Sequence, residues 1–351
     1  MLEEIREQPQ ALERTLSAEL AGIEELRKRL ESRRPRLVVL AARGTSDNAA
    51  LFGRYLLEMA TGIPVSLAAP SIFTLYGSTL DFRDVLVVAI SQSGESTDTN
   101  VVLEKARAGG ALTVGITNEA ESTLAKLGEH VILVRALKEQ SVAATKTYTG
   151  QLLALYLLAY ALGAPISMEQ MRRLPQNVET ALSLEPQIAD LSDRYTFMTS
   201  AVTIARGLNY SNAFEFALKL METCYVVADR FSAADLLHGP IAMVERAFPT
   251  FLFTPPGVTW PSLEEMLAKL QQLKAETLVI TDRSNANAQR AARKSICLPL
   301  DLANPNGPLP VDVYTPIPYI VPAQLFAARL AEQKGLDPDR PRTLSKVTRT
   351  L

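Results

Sequence analysis

One pattern occurs twice in this chain and limits its fold more than any other: an apolar, strand-like run ending in Ala-Arg-Gly, with a helical segment after it. Leu37-Val38-Val39-Leu40-Ala41-Ala42 stops at Arg43-Gly44, and Val202-Thr203-Ile204-Ala205 stops at Arg206-Gly207. Beyond these ends, one offset of 164 residues pairs Asn48 with Asn212, Glu58 with Glu222 and Thr117-Asn118 with Thr281-Asp282. A register held over that distance marks a duplicated unit.

Within the first copy, the runs Val85 to Ile90, Leu112 to Ile116 and Val131 to Val134 read as further buried strands. Helical stretches, Asn48 to Thr61 and Asp98 to Ala108, lie between them. Apolar strands alternating with helices predict parallel sheets covered on both faces. Leu12, Leu16, Leu20, Ile23 and Leu26 recur at helical spacing and predict an opening helix. The expected fold class is α/β: two tandem doubly wound parallel-sheet subdomains related by duplication, with an N-terminal helix and a C-terminal tail. The expected boundaries are 1–34 for the helix, 35–165 and 194–335 for the subdomains, 166–193 for a helical linker and 336–351 for the tail.

Composition excludes several function classes. The net charge of −2 gives no electrostatic case for nucleic acid or an anionic membrane as partner. Two cysteines, Cys224 and Cys297, lie far apart without a CxxC spacing, which argues against a metal site or a disulfide framework. Met1 to Arg6 runs into charged residues and not into a secretory apolar segment. The longest apolar stretch, Gln151 to Gly163, is too short to span a bilayer and reads as a buried helix. A cytoplasmic protein is expected.

Ser91-Gln92-Ser93-Gly94-Glu95-Ser96 follows a strand and opens a helix, where ligands of doubly wound sheets bind. Hydroxyls, free N–H groups and the helix dipole make an anion site there without a basic residue. Ser46 ends at the same sheet edge. The equivalent loop of the second copy, Thr254-Pro255-Pro256-Gly257, has lost the serines and two N–H donors, so only the first copy is expected to bind phosphate. Glu222 lies one helical turn after Lys219 among Phe214, Phe216, Ala217, Leu218, Leu220 and Met221. That spacing is common in surface salt bridges, but this apolar setting suits a base that accepts and returns a proton. His238, in His238-Gly239-Pro240, sits on a constrained turn where an imidazole can reach a ligand, while His130 reads as structural. The end of the chain, Pro341 to Leu351, has no helical period and would by itself read as a frayed basic tail.

Taken together, these strings resemble the sugar isomerase (SIS) family, in particular the isomerase half of glucosamine-6-phosphate synthase and its single-activity relatives. The resemblance runs from Glu4-Ile5-Arg6-Glu7-Gln8-Pro9 through Gly44-Thr45-Ser46, Ser91 to Ser96, Thr145-Lys146, Ala217-Leu218-Lys219-Leu220, His238-Gly239-Pro240 and Pro322-Ala323-Gln324-Leu325 to Lys346-Val347-Thr348. It implies that Ser46, Ser91, Gln92, Ser93 and Ser96 bind a sugar phosphate, with Ser345 and the backbone of Val142 also against the sugar. It implies that Glu222 moves a proton between C1 and C2, that Lys219 lies near the sugar oxygens and that His238 opens the ring, reaching the neighbouring subunit's site. Lys346 matches a tail lysine that can form a Schiff base with the keto sugar. A homodimer with shared sites follows, and Gln151 to Gly163 is a candidate for burial against the second subunit.

The chain departs from the family's pattern in places. Ala144 replaces a serine against the sugar, and Asp235-Leu236-Leu237 replaces Glu-Leu-Lys before the histidine. No cysteine stands near the N-terminus to serve a glutaminase half. The expected reaction is therefore deamination of glucosamine-6-phosphate to fructose-6-phosphate and ammonia, without metal or other cofactor. The alternatives are a plain phosphosugar isomerase, a fructosamine-phosphate deglycase, or a non-catalytic sugar-phosphate sensor.

Overall fold

A computed structural model describes residues 1–344 and 346. The chain divides into two compact bodies. The first comprises residues 10–139, 146–172 and 346, and the second comprises 1–9, 140–145 and 173–344.

The first body is built on five parallel strands: β1 (Leu37–Ala41), β2 (Val65–Leu67), β3 (Val85–Ile90), β4 (Leu112–Thr117) and β5 (His130–Leu133), in the order β2-β1-β3-β4-β5. Val39 pairs with Val87, and Val88 with Val114, so the centre of the sheet is apolar on both faces. β3 and β4 are buried at every residue. Continuous apolar runs are what a sheet covered on both sides requires. Only β2 escaped the sequence pattern. It is a three-residue edge strand, too short for any period to show.

The helix Thr45–Thr61 packs on the helix Lys146–Ala161. Gly53 makes their close approach possible, because a Cβ there would lie 2.8 Å from Leu155 Cδ2 and 3.0 Å from Leu40 Cδ1. Phe52 meets Tyr156 edge-on at 5.1 Å. The apolar stretch beginning at Gln151 thus lies inside this body, with Leu152, Leu153, Leu155, Leu157 and Leu158 all at 0 % exposure. Each contributes on the order of 1.5–3 kcal/mol. The expectation that this stretch awaits another subunit is corrected: the chain's own sheet and helices already cover it.

The second body repeats the plan. Its strands are β6 (Ser200–Ala205), β7 (Val227–Ser232), β8 (Pro249–Phe253), β9 (Glu276–Asp282) and β10 (Lys294–Leu298), paired in parallel in the order β10-β9-β8-β6-β7. Read from β7, this is the strand order of the first sheet. The offset holds element by element: β3 and β8 start 164 residues apart, as do β4 and β9, and β5 and β10. The core on one face is Val202, Ile204, Leu252, Leu263, Met266, Leu267, Leu270 and Val279. On the other, Phe216, Phe251 and Phe326 meet at 5.1–5.8 Å between helices Tyr210–Cys224 and Pro316–Gln333.

Hydrogen bonds explain why two distant segments join this body. Gln8 donates to Gln324 Oε1 at 2.9 Å, and Gln324 Nε2 donates to the Thr145 carbonyl at 3.3 Å. The Glu4 carboxylate accepts from the backbone N–H groups of Gln140 and Ser141. The opening helix is consequently shared out, its first residues going with the second body and Gln10 onward with the first. Among the described residues, no helix is long and apolar enough to cross a membrane.

Candidate functional site

In a doubly wound sheet of this order, the loops after the first and third strands diverge at a switch point and leave a crevice for a ligand. In the first body those loops carry Ser46 and Ser91 to Ser96. Ser46 opens the helix Thr45–Thr61 and is buried; its Oγ accepts from Gln151 Nε2 at 2.9 Å. Ser91 is also buried, and its Oγ accepts from the Gly94 N–H at 3.1 Å. Ser93 Oγ accepts from the Glu95 N–H at 3.2 Å. Ser96 is the N-cap of the helix Thr97–Ala108, with its Oγ 3.0 Å from Thr99 Oγ1. The Gln92 carbonyl accepts from the Asn118 N–H at 3.1 Å, while the N–H groups of Gln92 and Ser93 meet no acceptor among the described residues.

Gly94 sets this shape. Its φ of 66° is left-handed, and its carbonyl takes the Leu124 N–H and Asn100 Nδ2, both at 3.0 Å. The Arg43 guanidinium, at the end of β1, donates to Asp98 Oδ2 at 3.0 and 2.7 Å and so ties together the two loops that flank the switch point. The loop gathers hydroxyls, two backbone N–H groups and a helix N-terminus, the kinds of group that hold oxyanions in proteins.

In the second body the corresponding loop, Thr254 to Gly257, has no serine hydroxyls. Thr254 is buried, and its carbonyl accepts from Thr281 Oγ1 at 2.9 Å and Asn285 Nδ2 at 3.1 Å. Nearby, burial pushes the Asp312 carboxyl up to about 6.

The second body's helix Tyr210–Cys224 carries Lys219 and Glu222. Lys219 is fully buried, and its Nζ donates to Glu222 Oε2 at 2.5 Å and lies 3.4 Å from Glu215 Oε1. Glu215 is also fully buried, whereas the Glu222 side chain remains 22 % exposed. One ammonium between two carboxylates compensates charge that would be costly to bury alone. It leaves only Glu222 open to an incoming molecule. Sequence reasoning missed Glu215, although the spacing of Glu215, Lys219 and Glu222 places all three on one helical face.

His238 follows the short helix Ala233–Leu237 and is exposed, with Gly239 beyond it at φ 134°. The Val142 N–H is taken by the Asp339 carbonyl at 3.3 Å. In the first body Lys346 Nζ donates to Glu139 Oε2 at 3.0 Å. Glu139 is buried and also accepts from Thr147 Oγ1 at 2.6 Å. No local spacing in the sequence signals this pairing across more than 200 residues. Ser345, also expected at the site, lies outside the described residues. Ser46 and Ser91 to Ser96 therefore lie in one body, and Lys219, Glu222 and His238 in the other. Among the described residues, no group of three or more His, Cys, Asp or Glu side chains could hold a metal ion.

A serine-rich loop at the switch point of one parallel sheet, and a partly exposed glutamate beside a buried lysine on a helix of the other body, belong to a doubly wound α/β protein. The SIS domain model matches residues 32–161 and 198–316, one match over each sheet. This chain belongs to the SIS domain family. It is 35 % identical, over 99 % of its length, to the glutamine–fructose-6-phosphate aminotransferase (isomerizing) of Methanothermobacter thermautotrophicus, of which it covers 56 %. The chain thus spans a little over half the length of such relatives. The C-terminal domain of glucosamine-fructose-6-phosphate aminotransferase from Francisella tularensis has a similar structure, with a TM-score of 0.83 and 27 % identity over 97 % of this chain and 98 % of that one. Glucosamine-6-phosphate deaminase from Thermotoga maritima shares the fold, with a TM-score of 0.68 and 22 % identity over 97 % and 100 % of the two chains.

Proposed function

We propose that this chain is a sugar-phosphate enzyme that deaminates glucosamine-6-phosphate to fructose-6-phosphate and ammonia. The observation that carries the reading is the Lys219–Glu222 pair: a carboxylate open to solvent, steered by a fully buried ammonium 2.5 Å away. Such a base can take a proton from one carbon and return it to the next, and the ammonium stabilises charge that develops on the adjoining oxygen.

The proposed steps follow. Ser46, Gln92 and the serines of the 91–96 loop hold the phosphate. His238 moves the proton that opens the ring, freeing the C1 aldehyde. Glu222 removes the C2 proton, giving a C1–C2 enolamine, and returns it to C1. The double bond now lies between C2 and nitrogen. Water adds to that imine carbon and ammonia leaves, so substrate plus water gives the ketose phosphate plus ammonia. Lys346 offers a second route: its neutral amine replaces ammonia at C2, and water then releases the lysine. Glu139, 3.0 Å from Nζ, is placed to take the proton that the ammonium must first lose.

The working unit proposed is a homodimer in which His238, exposed at its helix end, serves the partner's site.

The test is ammonia release and ketose-phosphate formation across glucosamine-6-phosphate, galactosamine-6-phosphate and fructosamine-6-phosphate. Turnover of glucosamine-6-phosphate with equal yields of ammonia and fructose-6-phosphate is expected. Interconversion of glucose-6-phosphate and fructose-6-phosphate without any ammonia-releasing substrate would replace the deaminase by a plain isomerase. No turnover of any sugar phosphate, with binding intact, would leave a sensor.

A further inference from the structure

The helix that carries Glu222 ends in an unusual way. Its C-terminal cap, Tyr225, adopts left-handed φ 54° and ψ 33°, a conformation that glycine or asparagine ordinarily supplies. Tyrosine is strained there. Both ends of the side chain are used. The hydroxyl accepts from the Arg342 N–H at 2.8 Å, and the Arg342 guanidinium lies over the ring at 4.2 Å from its centre. Arg342 is otherwise an exposed residue near the end of the chain. Four residues further on the chain reaches Lys346, whose Nζ donates to buried Glu139.

We propose that Tyr225 and Arg342 form a clasp that positions Lys346, four residues further on, for reaction. The inference rests on the role given above to Lys346 as an imine-forming amine. Both residues act through that lysine and touch no reacting atom, so they are positioning residues. A fully extended four-residue span is at most about 14 Å, so fixing Arg342 confines the lysine backbone to a small volume. One cation–π contact and one hydrogen bond together shift an equilibrium by about tenfold. That is enough to matter for a tail whose side chains from Arg342 to Leu344 are all exposed. A tyrosine kept at a strained cap is consistent with selection for the clasp over the helix, since glycine would end the helix at lower cost.

The test uses the full chain with fructose-6-phosphate and sodium borohydride. Nζ adds to C2, water leaves, and hydride reduces the resulting C=N bond, so the adduct is counted by mass at Lys346. Amide hydrogen exchange at Arg342 reports the clasp itself. Arg342→Ala and Tyr225→Gly are each expected to lower the rate of adduct formation and kcat by about tenfold, with KM within about twofold. Exchange of the tail amides, which in Tyr225→Gly include that of Arg342, should rise by a similar factor. Tyr225→Phe keeps the ring and should fall between these and the parent. Tyr225→Gly should melt no lower than the parent, because it relieves the strained cap, and a loss of adduct without loss of stability separates positioning from folding. Parental exchange and adduct rates in Arg342→Ala would overturn the clasp. If the parent chain forms no Lys346 adduct while exchange still rises in Arg342→Ala, the clasp stands and the imine role of Lys346 falls.

Discussion

Replacing Gly94 by alanine tests the phosphate-loop geometry most directly. At φ 66° an alanine pays about 1–2 kcal/mol for its left-handed backbone. Its Cβ would also fall on the Ser122 side chain and within 2.9 Å of Thr117 Oγ1. Ser122 cannot swing aside cheaply. Its Oγ donates to the Glu119 carbonyl at 2.7 Å and caps the helix Thr123–Leu127 by accepting from the Ala125 N–H. Losing that cap costs about 1 kcal/mol, and forcing an overpacked backbone apart costs about 1–3. The total is about 3–6 kcal/mol. Gly62→Ala is the control: its φ is 70°, but nothing lies within 4 Å of the added Cβ, so only the backbone cost of about 1–2 kcal/mol applies. Urea melts of the two variants should differ by at least about 1 kcal/mol. The KM for a sugar phosphate should rise about tenfold or more in Gly94→Ala and stay level in Gly62→Ala. Equal melts, or an unchanged KM in Gly94→Ala, would refute the argument that this loop is held in shape by Ser122 and shaped for phosphate.

Three further outcomes are expected. Glu222→Gln keeps the shape but cannot accept a proton, so turnover should fall about a hundredfold or more with KM nearly unchanged, and near-parental turnover would move the base elsewhere. Co-expressed His238→Asn and Glu222→Gln chains, each inactive alone, should recover about half of one parental dimer's rate per mixed dimer. A verified mixed dimer without recovery would give each chain its own histidine. Asp312→Asn probes a carboxyl raised from 3.8 to about 6 by burial. Such a group supports the fold fully below its unfolded pKa and loses that contribution as pH rises through 6. The variant should therefore match the parent near pH 4 and exceed it at pH 8 by about 2–3 kcal/mol; a difference that stays flat between those pH values would count against the burial argument.

Much of this protein was legible in its residues because the relevant signals are local. Val85 to Ile90 and Leu112 to Ile116 have no polar residue but threonine, which only a strand buried on both faces tolerates, and the structure places β3 and β4 there. The serine loop announces itself by its position between an apolar run and a helix, and Lys219 and Glu222 by their spacing. The duplication was readable because both copies kept the same register, down to the starts of β5 and β10.

What the residues did not reveal depends on chain segments meeting across long distances. Nothing near Glu139 points to Lys346, and nothing near Tyr225 points to Arg342. The apolar helix after Lys146 could have faced a partner; only packing against Gly53 and Leu40 determined that its own chain covers it. The first nine residues resemble the start of one long helical segment, yet their side chains bond to Gln324 and to the backbone at 140–141, so they join the second body. Periodicity reports which face of an element is buried. Which segment buries it, and which buried charge finds a counter-charge, is settled only when the whole chain closes, because those energies belong to pairs of residues and not to either sequence neighbourhood.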